Sequence, residues 1–80
     1  MHLRVVGVED LLFEGDIYGI RANAMDGEVI CLDNHVDYLT VLKKGEVSIL
    51  DKDMKAQKEK VVLRQDSILF IEKNRAIIFS

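Results

Sequence analysis

Apolar residues in this chain come in short runs, and pairs or triplets of glycine, Asp, Asn or Lys separate them. Runs of that length between turn signals predict an all-β sandwich or barrel. Residues 3–8 read as a first strand, Glu9 and Asp10 as a turn, and Leu11, Leu12 and Phe13 as a second short strand closed by a turn at Glu14, Gly15 and Asp16. Residues 17–22 alternate as a half-buried strand should. Met25, Asp26 and Gly27 then supply a tight connection, since glycine adopts φ > 0 freely. Residues 28–32 form the next strand, and Asp33, Asn34, His35, Val36 and Asp37 an irregular link, because Asp and Asn side chains bond nearby backbone in place of a ladder. Five further strands follow at 38–42, 46–50, 60–64, 67–71 and 75–79, with turns at Lys43-Lys44-Gly45, Gln65-Asp66 and Lys73-Asn74. Residues 51–60 carry i,i+4 charge pairs but too few apolar positions to pack a helix, so they read as an extended hairpin tip. The expectation is a flattened antiparallel sandwich or barrel of about eight to ten short strands, in one domain spanning residues 1–80.

Several of these strands are apolar on both parities: residues 11–13, 61–63, 68–71 and 76–79. In an isolated sandwich one side of each sheet meets water and should alternate. The surplus predicts an outer face that docks on a partner, because monomers rarely leave large contiguous apolar patches open. Without the partner, the same face would drive self-association.

Composition narrows the class further. A chain of 80 residues holds one domain, and such a domain buries only about 60–65% of the surface its unfolded chain exposes. Hydrophobic residues make up 49%, which is too many for a disordered chain. No apolar run approaches the ~20 residues that span a bilayer, and no charged-then-apolar leader opens the chain, so a soluble cytoplasmic protein is expected. A single cysteine, Cys31, excludes an internal disulfide. The net charge of -3 is unevenly spread: residues 1–40 hold eight acidic and two basic side chains, residues 41–80 six acidic and nine basic. The N-terminal half would repel nucleic acid and suit a basic protein surface.

Candidate chemistry is sparse. Cys31, Asp33, His35 and Asp37 alternate like a ligand set or a Cys/His pair, but Asp33 and Asn34 interrupt the strand, and the other histidine, His2, lies far away in sequence. Structural zinc sites draw on two separated Cys/His pairs, and a nucleophilic cysteine needs a base and an oxyanion hole in a pocket. The five glycines never cluster into a phosphate loop, and the basic residues lack the interleaved aromatics of a single-strand binder. The chain is therefore expected to have no catalytic residue, no cofactor, no metal and no nucleic-acid partner. A small metal-binding enzyme using Cys31 and His35 is one alternative; a free-standing β-sandwich interaction module is another.

One stretch points to a family. An acidic turn at Asp26, Gly27 and Glu28, a short strand ending in Leu32, then His35, a Leu39-Thr40 pair and a Lys44-Gly45 turn follow in order, after an opening Leu12-Phe13-Glu14-Gly15. In that order and spacing the chain resembles the N-terminal β-domain of the epsilon subunit of F-type ATP synthases, over nearly all its length. The run His35-Val36-Asp37-Tyr38 is most similar to the epsilon-like subunit of the alternate, sodium-type ATPases. The chain departs from the common form where Asn23-Ala24 stands for Pro-Gly, Ile30 for Gly, and Asp66-Ser67 for Gly-Gly. The resemblance implies a non-catalytic central-stalk subunit between the gamma subunit and the membrane c-ring. Such a subunit couples proton or sodium transport to ATP synthesis or hydrolysis and touches the inner membrane only through the complex. By motif position, Asp26, Gly27 and Glu28 would contact the c-ring, whose loops in that family commonly offer Arg, while His35 and Thr40 would face gamma. The family's C-terminal helical hairpin has no counterpart in these 80 residues, which implies a subunit that couples without latching.

Overall fold

The computed structural model describes residues 1–80. Nine strands follow one another without a helix: β1 (His2–Val6), β2 (Leu11–Asp16), β3 (Gly19–Ala24), β4 (Gly27–Leu32), β5 (Tyr38–Leu42), β6 (Gly45–Leu50), β7 (Ala56–Leu63), β8 (Ser67–Glu72) and β9 (Arg75–Phe79). Hydrogen bonding runs in the order β2-β1-β9-β8-β5-β3-β6-β7, with β4 added on β3. Only β1 with β9 is a parallel pair. β5 touches β3 through one residue pair, Leu42 with Ala24, so the sheet turns a corner there. Two layers result, β2-β1-β9-β8-β5 over β4-β3-β6-β7.

Period-2 alternation sends every second side chain between the layers. Leu3, Val5, Leu69, Ile71 and Ile78 come from the first layer, and Ile20, Cys31, Val47, Ile49 and Leu63 from the second; all are buried in one cluster. Full burial of a Leu or Ile side chain contributes roughly 1.5–3 kcal/mol, so this seam holds the two layers together. Gly19 lies where a Cβ would meet Leu32 Cδ2 at 2.8 Å and the Cys31 carbonyl at 2.9 Å. The close approach of β3 to β4 requires glycine at that position.

Three expected boundaries are corrected. β1 stops at Val6, not at residue 8: the Gly7 N–H donates to the Asp10 carbonyl at 2.7 Å, and Val8 projects into solvent. Glu14, Gly15 and Asp16 are strand and not turn, paired with Arg4, Leu3 and His2. Gly15 keeps ordinary φ, the ladder continues through it, and the chain reverses at Ile17 and Tyr18 instead. The hairpin tip is shorter than residues 51–60. Asp51 accepts the N–H groups of Asp53 and Lys55 at 2.9 and 3.0 Å and Met54 takes φ 66°, which closes the turn early enough for β7 to start at Ala56.

Candidate interaction surfaces

Register lines up the outward side chains of the first layer in rows. Val41, Ile68, Phe79, Val6 and Leu11 lie side by side across β5, β8, β9, β1 and β2. The next row holds Leu39, Phe70 and Ile77, then Arg4 and Glu14. Eight apolar side chains thus share one face, with Leu39 65%, Phe79 50% and Ile68 47% exposed. The doubled parity of β8 and β9 resolves cleanly: Leu69, Ile71, Ala76 and Ile78 point in, while Ile68, Phe70 and Phe79 point out. Sequence reasoning missed the extension of this face onto β5 and β1. The signal was there, since Val5-Val6 and Val41-Leu42 are also adjacent apolar pairs.

A charged row borders the patch. Glu72, Arg75, His2 and Asp16 are consecutive cross-strand partners on β8, β9, β1 and β2. The two ring nitrogens of His2 meet Asp16 Oδ1 and Glu14 Oε2, each at 2.9 Å, and Arg4 Nε lies 3.6 Å from the same Glu14 oxygen. The hydrogen bond to Glu14, then that to Asp16, raises the His2 pKa above its ordinary value, and the bond to His2 is the main cause lowering that of Glu14. No pattern in the sequence announces this trio. It exists only because β1 and β2 pair in this register.

The outside of the second layer is polar. Arg21 stands between Ile30 and Ser48, Asn23 opposite Glu28, Glu46 opposite Val62, and Ser48 opposite Lys60. Lys60 and Glu46 form an exposed ion pair at 3.7 Å. Val62 is outward here, so the doubled parity of residues 61–63 yields one isolated apolar side chain and no patch.

The residues singled out for the c-ring sit at one end of the molecule. Met25 and Asp26 form a two-residue hairpin loop, and Gly27 opens β4 at φ 130°, a conformation L side chains rarely adopt. The hairpin is laced to the β5–β6 turn, with the Met25 N–H on the Val41 carbonyl and the Lys43 N–H on the Asn23 carbonyl. Asp26 and Glu28 are exposed, and neither forms an ion pair. Both carboxylates are free to meet a cation.

The loop between β4 and β5 is at the other end, about 20 Å away along a six-residue strand. Asn74 Nδ2 donates to Asp33 Oδ1 at 3.0 Å, the Asn34 N–H donates to Asn74 Oδ1 at 2.7 Å, and the Lys73 N–H donates to Asp37 Oδ1 at 3.1 Å. The Met1 ammonium also bonds Asp33 and, with Asn74, holds that carboxyl below the usual range. His35 Nδ1 bonds the Val36 carbonyl at 2.7 Å, and its ring tilts against Tyr38 with centroids 5.5 Å apart. Cys31 is fully buried, which pushes its thiol pKa up. The four alternating side chains Cys31, Asp33, His35 and Asp37 therefore go to four different surroundings. Nor does the structure bring His35 and Thr40 together: Thr40 is half-buried in β5 opposite Leu69, on the core-facing parity between Leu39 and Val41.

Comparison with known proteins follows the same lines. A solved chain of the Tetrahymena thermophila mitochondrial ATP synthase, from a structure of its central stalk and c-ring, superposes with a TM-score of 0.75 at 14% identity, covering 98% of this chain and 60% of that one. The ATP synthase epsilon chain of Hydrogenovibrio crunogenus is 40% identical over 53 residues, 66% of this chain and 37% of that protein. That of Caulobacter vibrioides is 31% identical over 51 residues, 64% of this chain and 59% of that protein. The match thus spans less than two thirds of either relative's length. Residues 1–80 match throughout the family described as ATP synthase, Delta/Epsilon chain, beta-sandwich domain, and the chain belongs to that family.

Proposed function

We propose that this chain is a non-catalytic central-stalk subunit of a rotary ATP synthase, a single domain that clamps the gamma subunit to the c-ring so that torque passes between ion flow and ATP synthesis or hydrolysis. One observation carries the reading: eight outward apolar side chains lie on one layer and none of comparable extent on the other. Uncovered, such a face would be a liability, and gamma is the partner that the family suggests for it. His35 stands on the loop leading into β5, at the end of that face, and Thr40 lies within β5. The turn at Asp26, Gly27 and Glu28 presents its unpaired carboxylates at the far end, where c-ring loops bearing Arg would meet them. Two contacts at opposite ends suit a part that transmits force. No helix of the chain is long and apolar enough to cross a membrane, and attachment to the cytoplasmic side would come through the complex. Around His35 the common form has Pro and Gly where this chain has Asp33, Asn34 and Asp37, which favours the alternate, sodium-type ATPases, with sodium or protons as the coupling ion.

Co-expression with gamma tests the reading. The wild-type chain should co-purify with gamma, and Ile68→Asp with Phe70→Asp should lower that affinity by at least about a hundredfold, since a buried carboxylate at an interface centre has no partner. Co-purification unchanged by the double variant would overturn it.

A further inference from the structure

We infer that Asn74, in the turn between β8 and β9, is a positioning residue for the loop that presents His35. This rests on the reading that His35 faces gamma. Lys73 and Asn74 form a two-residue hairpin loop in which both residues have positive φ, 51° and 61°. A turn of that kind favours glycine at its second position. Here the position holds asparagine, and both ends of its side-chain amide bond outside its own hairpin. Its carbonyl oxygen takes the Asn34 N–H, and its amide donates to the Asp33 carboxylate.

Those two bonds join segments 40 and 41 residues apart in sequence, and the Lys73 N–H on Asp37 fastens the other end of the same loop. Asn34 itself has φ 64°, in the left-handed region that asparagine visits readily, so its own conformation does not fix where the loop lies. The loop's own bonds are the His35 N–H on the Leu32 carbonyl and His35 Nδ1 on the Val36 carbonyl. Both are local. Asp33, at the start of the loop, is also tied by its N–H on the Tyr18 carbonyl and its carboxylate on the Met1 ammonium, whereas from Asn34 to Asp37 the loop's bonds to distant segments come from the β8–β9 turn. The orientation of His35 over Tyr38 therefore depends on the β8–β9 turn. Asparagine is the residue that tolerates the left-handed region and also offers a donor and an acceptor together. Glycine would satisfy the turn and release the loop.

The test is Asn74→Gly in the full chain, alone and combined with His35→Ala, followed by amide hydrogen exchange, the His35 ring resonances and affinity for gamma. Strand amides of β8 and β9 should keep their protection, because the turn itself is not strained. The Asn34 amide should exchange about tenfold faster, the His35 ring protons should lose the shift imposed by Tyr38, and gamma affinity should fall roughly fivefold. In the double variant the two affinity losses should not add, because Asn74 acts through His35. Unchanged exchange at Asn34, or additive losses, would overturn the inference. If His35→Ala alone leaves gamma binding intact while Asn74→Gly still frees Asn34 and moves the His35 ring resonances, the positioning role stands and the gamma-facing reading fails.

Discussion

The two layers of this sandwich are built on the same alternation, yet their outsides are opposites. β5, β8 and β9 point Leu39, Val41, Ile68, Phe70 and Phe79 at solvent; β3, β4 and β6 point Arg21, Asn23, Glu28, Glu46 and Ser48. Folding requires only the inner faces to be apolar, and the second layer demonstrates that a polar outside is compatible with this core. The apolar outside of the first layer therefore serves something other than the fold. The second layer also ends in the free edges of β4 and β7. On β7 the run Gln57-Lys58-Glu59-Lys60 guards exposed ladder groups against unwanted pairing.

Neighbouring residues of β9 separate the two roles most sharply. Ile78 has no exposed surface, whereas Phe79 is 50% exposed. Ile78→Ala should lower unfolding free energy by about 3 kcal/mol, the usual cost of a core truncation. Phe79→Ala should cost under about 1 kcal/mol of stability yet weaken gamma binding by roughly thirtyfold, as an interface aromatic does. Denaturant melts and a binding titration on both variants decide it. Equal stability losses would mean that Phe79 is part of the core, and the contrast between the two faces would collapse.

This contrast was only half legible beforehand. Doubled parity in residues 68–71 and 76–79 announced that some apolar side chains had nowhere to hide, but parity cannot say which strands lie side by side. Val6 joins the patch through the parallel pairing of β1 with β9, which unites the two ends of the chain, and Leu11 through a bulge in the β1–β2 hairpin that simple alternation does not announce. Local chemistry was read well where one residue type dictates the turn, as at Gly27, and poorly at Gly15, where glycine signalled a turn but simply sits in a ladder. The loop at residues 33–37 is irregular, as the Asp33-Asn34 pair indicates. Its partner, Asn74, was invisible because it arrives from the far end of the chain.

Glu28→Lys sharpens the comparison from the polar side. Glu28 is exposed, on the outer parity of β4 opposite Asn23, and forms no ion pair. Reversal should change stability by less than about 0.5 kcal/mol and leave gamma binding intact. Assembly with the c-ring should weaken about tenfold, as removal of a charge-assisted contact would. The loss should shrink at high salt. A mutant complex that assembles and couples normally would remove the turn from the c-ring contact.

The smallest expected effect lies on the border between the patch and its charged rim. His2 is flanked by Glu14 and Asp16 within hydrogen-bond reach, by Arg75 as its β9 partner, and by Arg4 two residues along β1. Its pKa is raised from 6.5, so its contribution to stability is fully present below pH 6.5 and is lost as pH rises through the folded-state value. Glu14 has the opposite sign: lowered from 4.5, its contribution is present above that pH and lost as acid reaches its folded value. The pair is strongest between these limits. All three side chains are solvent-accessible and screened, so the effect is modest. His2→Gln keeps a hydrogen-bonding side chain but cannot carry the charge. The wild type should exceed it in melting temperature near pH 5.5 and lose that margin by pH 8.5, on the order of two pH units above the ordinary value. A margin that does not change with pH would show that the imidazolium adds nothing, and that the charged row is only a solvated border to the apolar face.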